Sequence, residues 1–124
     1  FLGLTIPKNN SIMMQSLSGS KLGIWVAHGE GRFYLPESED HYNVVAKYNY
    51  AEYPGNPNGS DYNVAAICSE DGRHLAMMPH PERAIFPWQN AYYPLNRKQD
   101  EVSPWIEAFV NARKWIEEKT RTEE

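Results

Sequence analysis

A chain of 124 residues is long enough for one domain with a modest core. Apolar residues make up 41% and charged residues 23%, the balance of an ordinary soluble globular protein. The formal net charge of −4, with Lys and Arg scattered, excludes the basic stripe a nucleic-acid binder needs, and no apolar run approaches the length of a membrane span. No signal-peptide pattern is visible. A single cysteine, Cys68, excludes an internal disulfide and fits a reducing compartment, the cytoplasm. The chain opens on Phe1 and runs straight into an apolar stretch, so a fragment of something longer is expected.

Phe1 to Ile6, "FLGLTI", ends at Pro7 and is expected to be a short buried strand. Lys8 to Ser11 is a polar turn, and Ile12 to Leu17 is ambiguous. Leu22 to His28, "LGIWVAH", fits a central strand running into "HGEG", and Arg32 to Leu35 is expected to continue as a strand. The acidic stretch Pro36 to His41 reads as a loop or a short helical turn. From Tyr42 to Tyr50 the residues alternate, with Tyr42, Val44, Ala46, Tyr48 and Tyr50 on one face and Val45 out of step. The Gly- and Pro-rich "YPGNPNGSDY" is a loop. "NVAAICS" and "RHLAMMP" flank "EDG", which predicts a hairpin with a type I′ Asp-Gly turn and Cys68 opposite Leu75. An irregular aromatic stretch follows Pro87. Ser103 as N-cap and Pro104 at the first helical position then open a helix with Trp105, Ile106, Phe109, Ala112 and Ile116 inward. Glu107, Asn111, Arg113 and Lys114 are expected to face solvent, and "EEKTRTEE" is expected to fray. Strands followed by one strong helix give an α/β piece, mostly strands with a hairpin and a C-terminal helix.

The chemistry concentrates in "PHPE". Side chains two apart in an extended segment share a side, and the flanking prolines restrict the backbone at His80, so the Glu82 carboxylate can approach the His80 imidazole. Such a carboxylate fixes one tautomer and stabilises the imidazolium, the wiring of a base that activates Ser or Cys. The spacing alone also fits a rigid surface turn with an incidental histidine. Cys68 is the obvious nucleophile by residue type, but His80 lies five residues past Leu75, roughly 16 Å along an extended strand. It reads instead as a small buried hydrophobe, not a catalytic group. A serine nucleophile stays open, although no G-x-S-x-G elbow is present. "HGEG" after a strand is a place where a ligand could meet backbone groups, and it also fits a plain strand-to-turn exit. No metal-ligand spacing and no Walker-type phosphate loop is present.

Taken in order, "LGIWVAHGEGRF", "NPNGS", "ICSEDGRHLAMMPHPER" and "SPWIEAFVNAR" closely resemble the C-terminal glutaminase domain of phosphoribosylformylglycinamidine synthases of the long single-chain form. That domain is a class I, triad-type glutamine amidotransferase. The resemblance covers essentially the whole chain, so residues 1–124 are expected to be the C-terminal portion of such a flavodoxin-like three-layer domain. It implies a Cys-His-Glu triad in which His80 and Glu82 are the histidine and glutamate, with the cysteine elbow expected upstream of Phe1. It implies that Ala27, His28 and Gly29 line the glutamine pocket, chiefly through backbone groups. No cofactor is expected in the chain itself, and the ATP and magnesium sites belong to the synthetase domains of the full enzyme.

The resemblance further implies that the full enzyme supplies ammonia from glutamine for conversion of formylglycinamide ribonucleotide to formylglycinamidine ribonucleotide. The isolated chain is expected to be inactive. Its partners are then glutamine and the remainder of the polypeptide, with neither nucleic acid nor membrane. The rival readings are half of an amidotransferase from another pathway, which should lack "SPWIEAFVNAR", and a noncatalytic interaction module using Trp88 to Tyr93. A piece cut from a larger sheet is also expected to self-associate through bare edges and apolar faces.

Overall fold

The structure, a computed structural model, describes residues 1–26, 33–49, 56, 59–91, 93–97 and 100–123. Five strands form one sheet: β1 (Leu2–Thr5), β2 (Lys21–Ile24), β3 (Asn43–Tyr48), β4 (Val64–Cys68) and β5 (Leu75–Met77). A single α-helix among the described residues, α1 (Ile106–Glu123), follows. The strand order is β2-β1-β3-β4-β5, and every neighbouring pair is antiparallel. The architecture matches the expected piece of mostly strands, with a hairpin and a C-terminal helix.

"FLGLTI" forms β1 in the interior of the sheet, and Leu4 and Ile6 are fully buried. Burying one such side chain stabilises the fold by about 1.5–3 kcal/mol. Their cluster includes Met14, Ile24, Val45, Trp105 and Ala108, so the sheet and the start of α1 share one core. Tyr48 joins it with its hydroxyl buried and without a hydrogen-bond partner among the described residues. Burial alone pushes that phenol up to about 12.

The strand predicted from alternation is present as β3, and Val45 breaks the alternation for a visible reason. Between Val44↔Ile67 and Ala46↔Ala66 the strand carries one extra residue, Val45. Between Ala46↔Ala66 and Lys47↔Val64 the partner strand carries one, Ala65. The two irregularities compensate, the register recovers, and both extra residues are completely buried.

Several expectations are corrected. "LGIWVAH" is not a central strand: β2 ends at Ile24 and lies at the edge, because β1 occupies the position between it and β3. Phe33 to Leu35 is not a strand, since the Phe33 and Leu35 amides donate to Ser60 Oγ and Asp61 Oδ2 rather than to a ladder. The ambiguous Ile12 to Leu17 closes in a short 3₁₀ turn, Gln15–Leu17.

The β4–β5 hairpin has the expected register, Cys68↔Leu75. Its turn is wider than a two-residue type I′ turn: Ser69 N donates to His74 O and Gly72 N to Ser69 O, each at 3.0 Å. Within it only Gly72 has positive φ, +73°. Asp71 serves the loop through its side chain, accepting from Ser69 Oγ and the Arg73 amide. That hydrogen bond from Ser69, then the Arg73 amide, hold its carboxyl below the usual range against a smaller effect of burial.

The helix also differs from its predicted form. Ser103 does not cap it, because the hydroxyl donates to Ala84 O. Phe109 and Ile116 are exposed, while Ala108 is buried beside Trp105. Asn111 turns inward and donates to Met13 O and Ser16 Oγ, which sets the rotation of α1 against the Gln15–Leu17 turn. The helix is continuous to Glu123 and carries an i,i+4 pair of Arg113 and Glu117 at 3.0 Å.

Candidate active site

His80 follows β5 after a bend at Met78 and Pro79, with extended backbone (φ −115°, ψ 91°). Pro81–Arg83 then forms one 3₁₀ turn, closed by Arg83 N to His80 O and Ala84 N to Pro81 O. Proline at the first position suits that turn, since its missing N–H would have no partner there. The turn, rather than a fully extended segment, brings His80 Nδ1 to 2.6 Å from Glu82 Oε1. The side chains are 30% and 51% exposed, a half-buried pair that solvent can reach.

With Nδ1 committed to the carboxylate, the Nδ1–H tautomer leaves Nε2 with the free lone pair, and no described residue bonds to it. Burial is the largest single influence and pushes the Glu82 carboxyl up, while the hydrogen bond from His80 lowers it. Its own backbone amide and the charges of His80 and Arg83 add to the lowering, so the carboxyl lies below the ordinary value. The folded carboxyl therefore titrates below its unfolded value. Any stability from the pair is fully present above the unfolded pKa and is lost as pH falls through the folded one. Half exposed, the pair contributes little of this kind. Its chemical capability is the transfer of a proton at Nε2 with the positive charge held by Glu82.

The pair is anchored by its backbone. The His80 amide donates to Trp25 O at 3.0 Å, an isolated antiparallel bridge that joins the extensions of the two edge strands β2 and β5. Trp25 is in turn fixed by its indole N–H to Gln89 O and by an edge contact with the Phe1 ring at 5.0 Å. The end of the β2 segment therefore lies beside the histidine. Ala27, His28 and Gly29, expected to line a glutamine pocket, lie outside the described residues.

Cys68 is on β4, and its thiol bonds to Asn10 Oδ1 at 3.3 Å. Burial and the nearby Asp71 charge push the thiol up, away from thiolate. The structure does not bring Cys68 to His80. Among the described residues no group of three or more His, Cys, Asp or Glu could hold a metal ion, and no helix is long and apolar enough to cross a membrane. A partly open cavity of about 260 Å³ bordered by Phe1, Gly23, Arg97 and Trp105 is not lined by His80 or Glu82. Sequence reasoning missed Trp25 and Ser103 as neighbours of the site. The usable signal was chemical: a largely buried indole N–H needs an acceptor.

Residues 1–116 match the family of CobB/CobQ-like glutamine amidotransferase domains, and the chain belongs to that family. Among its relatives is the probable phosphoribosylformylglycinamidine synthase, chloroplastic/mitochondrial, of Arabidopsis thaliana. It is 46% identical over 131 residues, covering 94% of this chain and 9% of the relative. The phosphoribosylformylglycinamidine synthase of Homo sapiens is 44% identical over 117 residues, 85% of this chain and 9% of the relative. The solved structure of PurLQS from Thermotoga maritima superposes with a TM-score of 0.66 at 26% identity, over 94% of this chain and 46% of that one. The chain thus spans about a tenth of the length of the curated relatives it matches.

Proposed function

We propose that this chain carries the acid–base pair of the glutaminase in a phosphoribosylformylglycinamidine synthase. The carrying observation is the 2.6 Å contact of His80 Nδ1 with Glu82 Oε1, which leaves Nε2 available. In this reading a cysteine thiolate from another part of the polypeptide attacks the side-chain amide carbon of glutamine. His80 Nε2, protonated on taking the thiol proton, delivers it to the departing nitrogen, and ammonia leaves. Water then attacks the γ-glutamyl thioester, His80 accepts a proton from it, and the C–S bond breaks to give glutamate. Glu82 orients the ring and stabilises its charged form throughout. Backbone groups of Ala27, His28 and Gly29 hold the glutamine. The ammonia is used by the synthetase part of the polypeptide, where ATP and magnesium act, in the cytoplasm. The run of identity with synthases of this name through most of the chain supports the purine branch over other amidotransferases.

The isolated chain is expected to release no glutamate from glutamine, whereas the full polypeptide releases it and couples it to amidation. Glutamate release by the isolated chain, lost on His80→Ala, would overturn the placement of the nucleophile elsewhere. We also propose that the isolated chain self-associates. Trp88 is 79% exposed and stacks on the exposed Phe86, and Phe109 and Val110 are partly exposed on α1. Light scattering should then give a mass above 14.3 kDa at high concentration, and a monomer there would argue against it.

A further inference from the structure

Ser103 and Trp105 are 2% and 1% exposed, yet neither spends its polar group on the helix it precedes. The Ser103 hydroxyl donates to Ala84 O, and its amide donates to Ile85 O. The Trp105 indole donates to Gly23 O at 2.8 Å, across 82 residues of sequence. These acceptors are placed informatively. Ala84 ends the 3₁₀ turn that carries Glu82, and its own amide is bonded to Pro81 O. Gly23 lies in β2, two residues before Trp25, whose carbonyl holds the His80 amide.

The ties form a closed circuit. It runs from His80 through the Pro81–Arg83 turn to Ala84, across to Ser103, along to Trp105, across to Gly23, along β2 to Trp25, and back to His80. A side chain on an open turn can swing with the turn. One on a closed circuit of short hydrogen bonds is held at fixed distance from the strand that closes it. We propose that Ser103 and Trp105 are positioning residues for the His80–Glu82 pair, fixing it against the end of β2 without touching substrate. The proposal rests on the glutaminase reading above.

The test uses the full-length polypeptide with Ser103→Ala and, separately, Trp105→Phe, which keeps an aromatic ring but removes the donor. Glutamine-dependent kcat is expected to fall about tenfold in each, since small misplacements of a reacting group cost rate steeply. KM for glutamine and ammonia-supported turnover should hold, while Tm falls modestly with the loss of one buried hydrogen bond. The proposal is overturned if kcat is kept in both variants. It is also overturned if kcat falls only together with ammonia-supported turnover, the pattern of plain fold support. The glutaminase reading fails separately: it falls if His80→Ala leaves glutamine-dependent turnover intact.

Discussion

In the full-length polypeptide, His80→Ala is expected to lower glutamine-dependent amidation by about 10²–10⁴-fold, the usual worth of a positioned general acid–base group. Ammonia-supported amidation should be unchanged, because in the proposed mechanism added ammonia bypasses every step that uses His80. The asymmetry is the diagnostic, since a variant that merely unfolded would lose both. Glu82→Gln should act in the same direction and more weakly, because it keeps a hydrogen-bond acceptor for Nδ1 but removes the charge that balances the imidazolium. His80→Ala also has a readout at Glu82. With the hydrogen bond and charge of His80 gone, burial is opposed only by the carboxylate's own amide and Arg83. The Glu82 carboxyl should therefore titrate higher in the variant, as followed by NMR of its carboxyl carbon. An unmoved midpoint would mean that the contact is not formed in solution.

The second large effect is on stability, at Gly72. Its φ of +73° disfavours any residue with a Cβ, and an added Cβ would lie 2.1 Å from the carbonyl oxygen of Asn10. That oxygen is backbone, and it cannot step aside cheaply: Gly72 O accepts the Ile12 amide, while the Asn10 side chain bonds to Glu70 O and Cys68. The left-handed conformation and the forced overlap together put the cost of Gly72→Ala at about 2–5 kcal/mol. That is a large part of the stability of a small domain. Gly19 supplies the control, since it has φ +86° but nothing within 4 Å of its Cβ position. Urea unfolding at fixed protein concentration should show Gly72→Ala well below Gly19→Ala in midpoint. Equal midpoints would remove the close approach of the 10–12 segment from the account.

What could be read from the residues follows the range of the interactions. β1, β3 and the hairpin register of Cys68 opposite Leu75 are written locally, in apolar runs, alternation and turn residues. The His80–Glu82 contact was likewise legible, because two residues and two prolines contain the whole argument. Partner choice across the chain leaves no periodic trace. Nothing near "LGIWV" says that β1 will take the place between it and β3, or that Trp25 will meet His80. The rotation of α1 was misjudged for a related reason: a periodic stripe assigns Phe109 inward and Asn111 outward. The structure reverses them because Asn111 finds two oxygen acceptors near the Gln15–Leu17 turn. At Ser103 the local preference for a cap lost to a buried carbonyl on Ala84.

The circuit through Gly23 and Trp105 has a consequence for the order of assembly. Its closing bond joins residues 82 apart, and the Asn111–Met13 tie that seats the helix joins residues 98 apart. Contacts of that span are made late, after the entropy of closing long loops has been met. A growing chain that has just finished "PHPE" can form the local turn and even the contact of imidazole with carboxylate. It cannot yet lock that contact against β2, because the residues that do so have not been made. The histidine is thus synthesised well before it is set in place, and its final setting waits for the last helix.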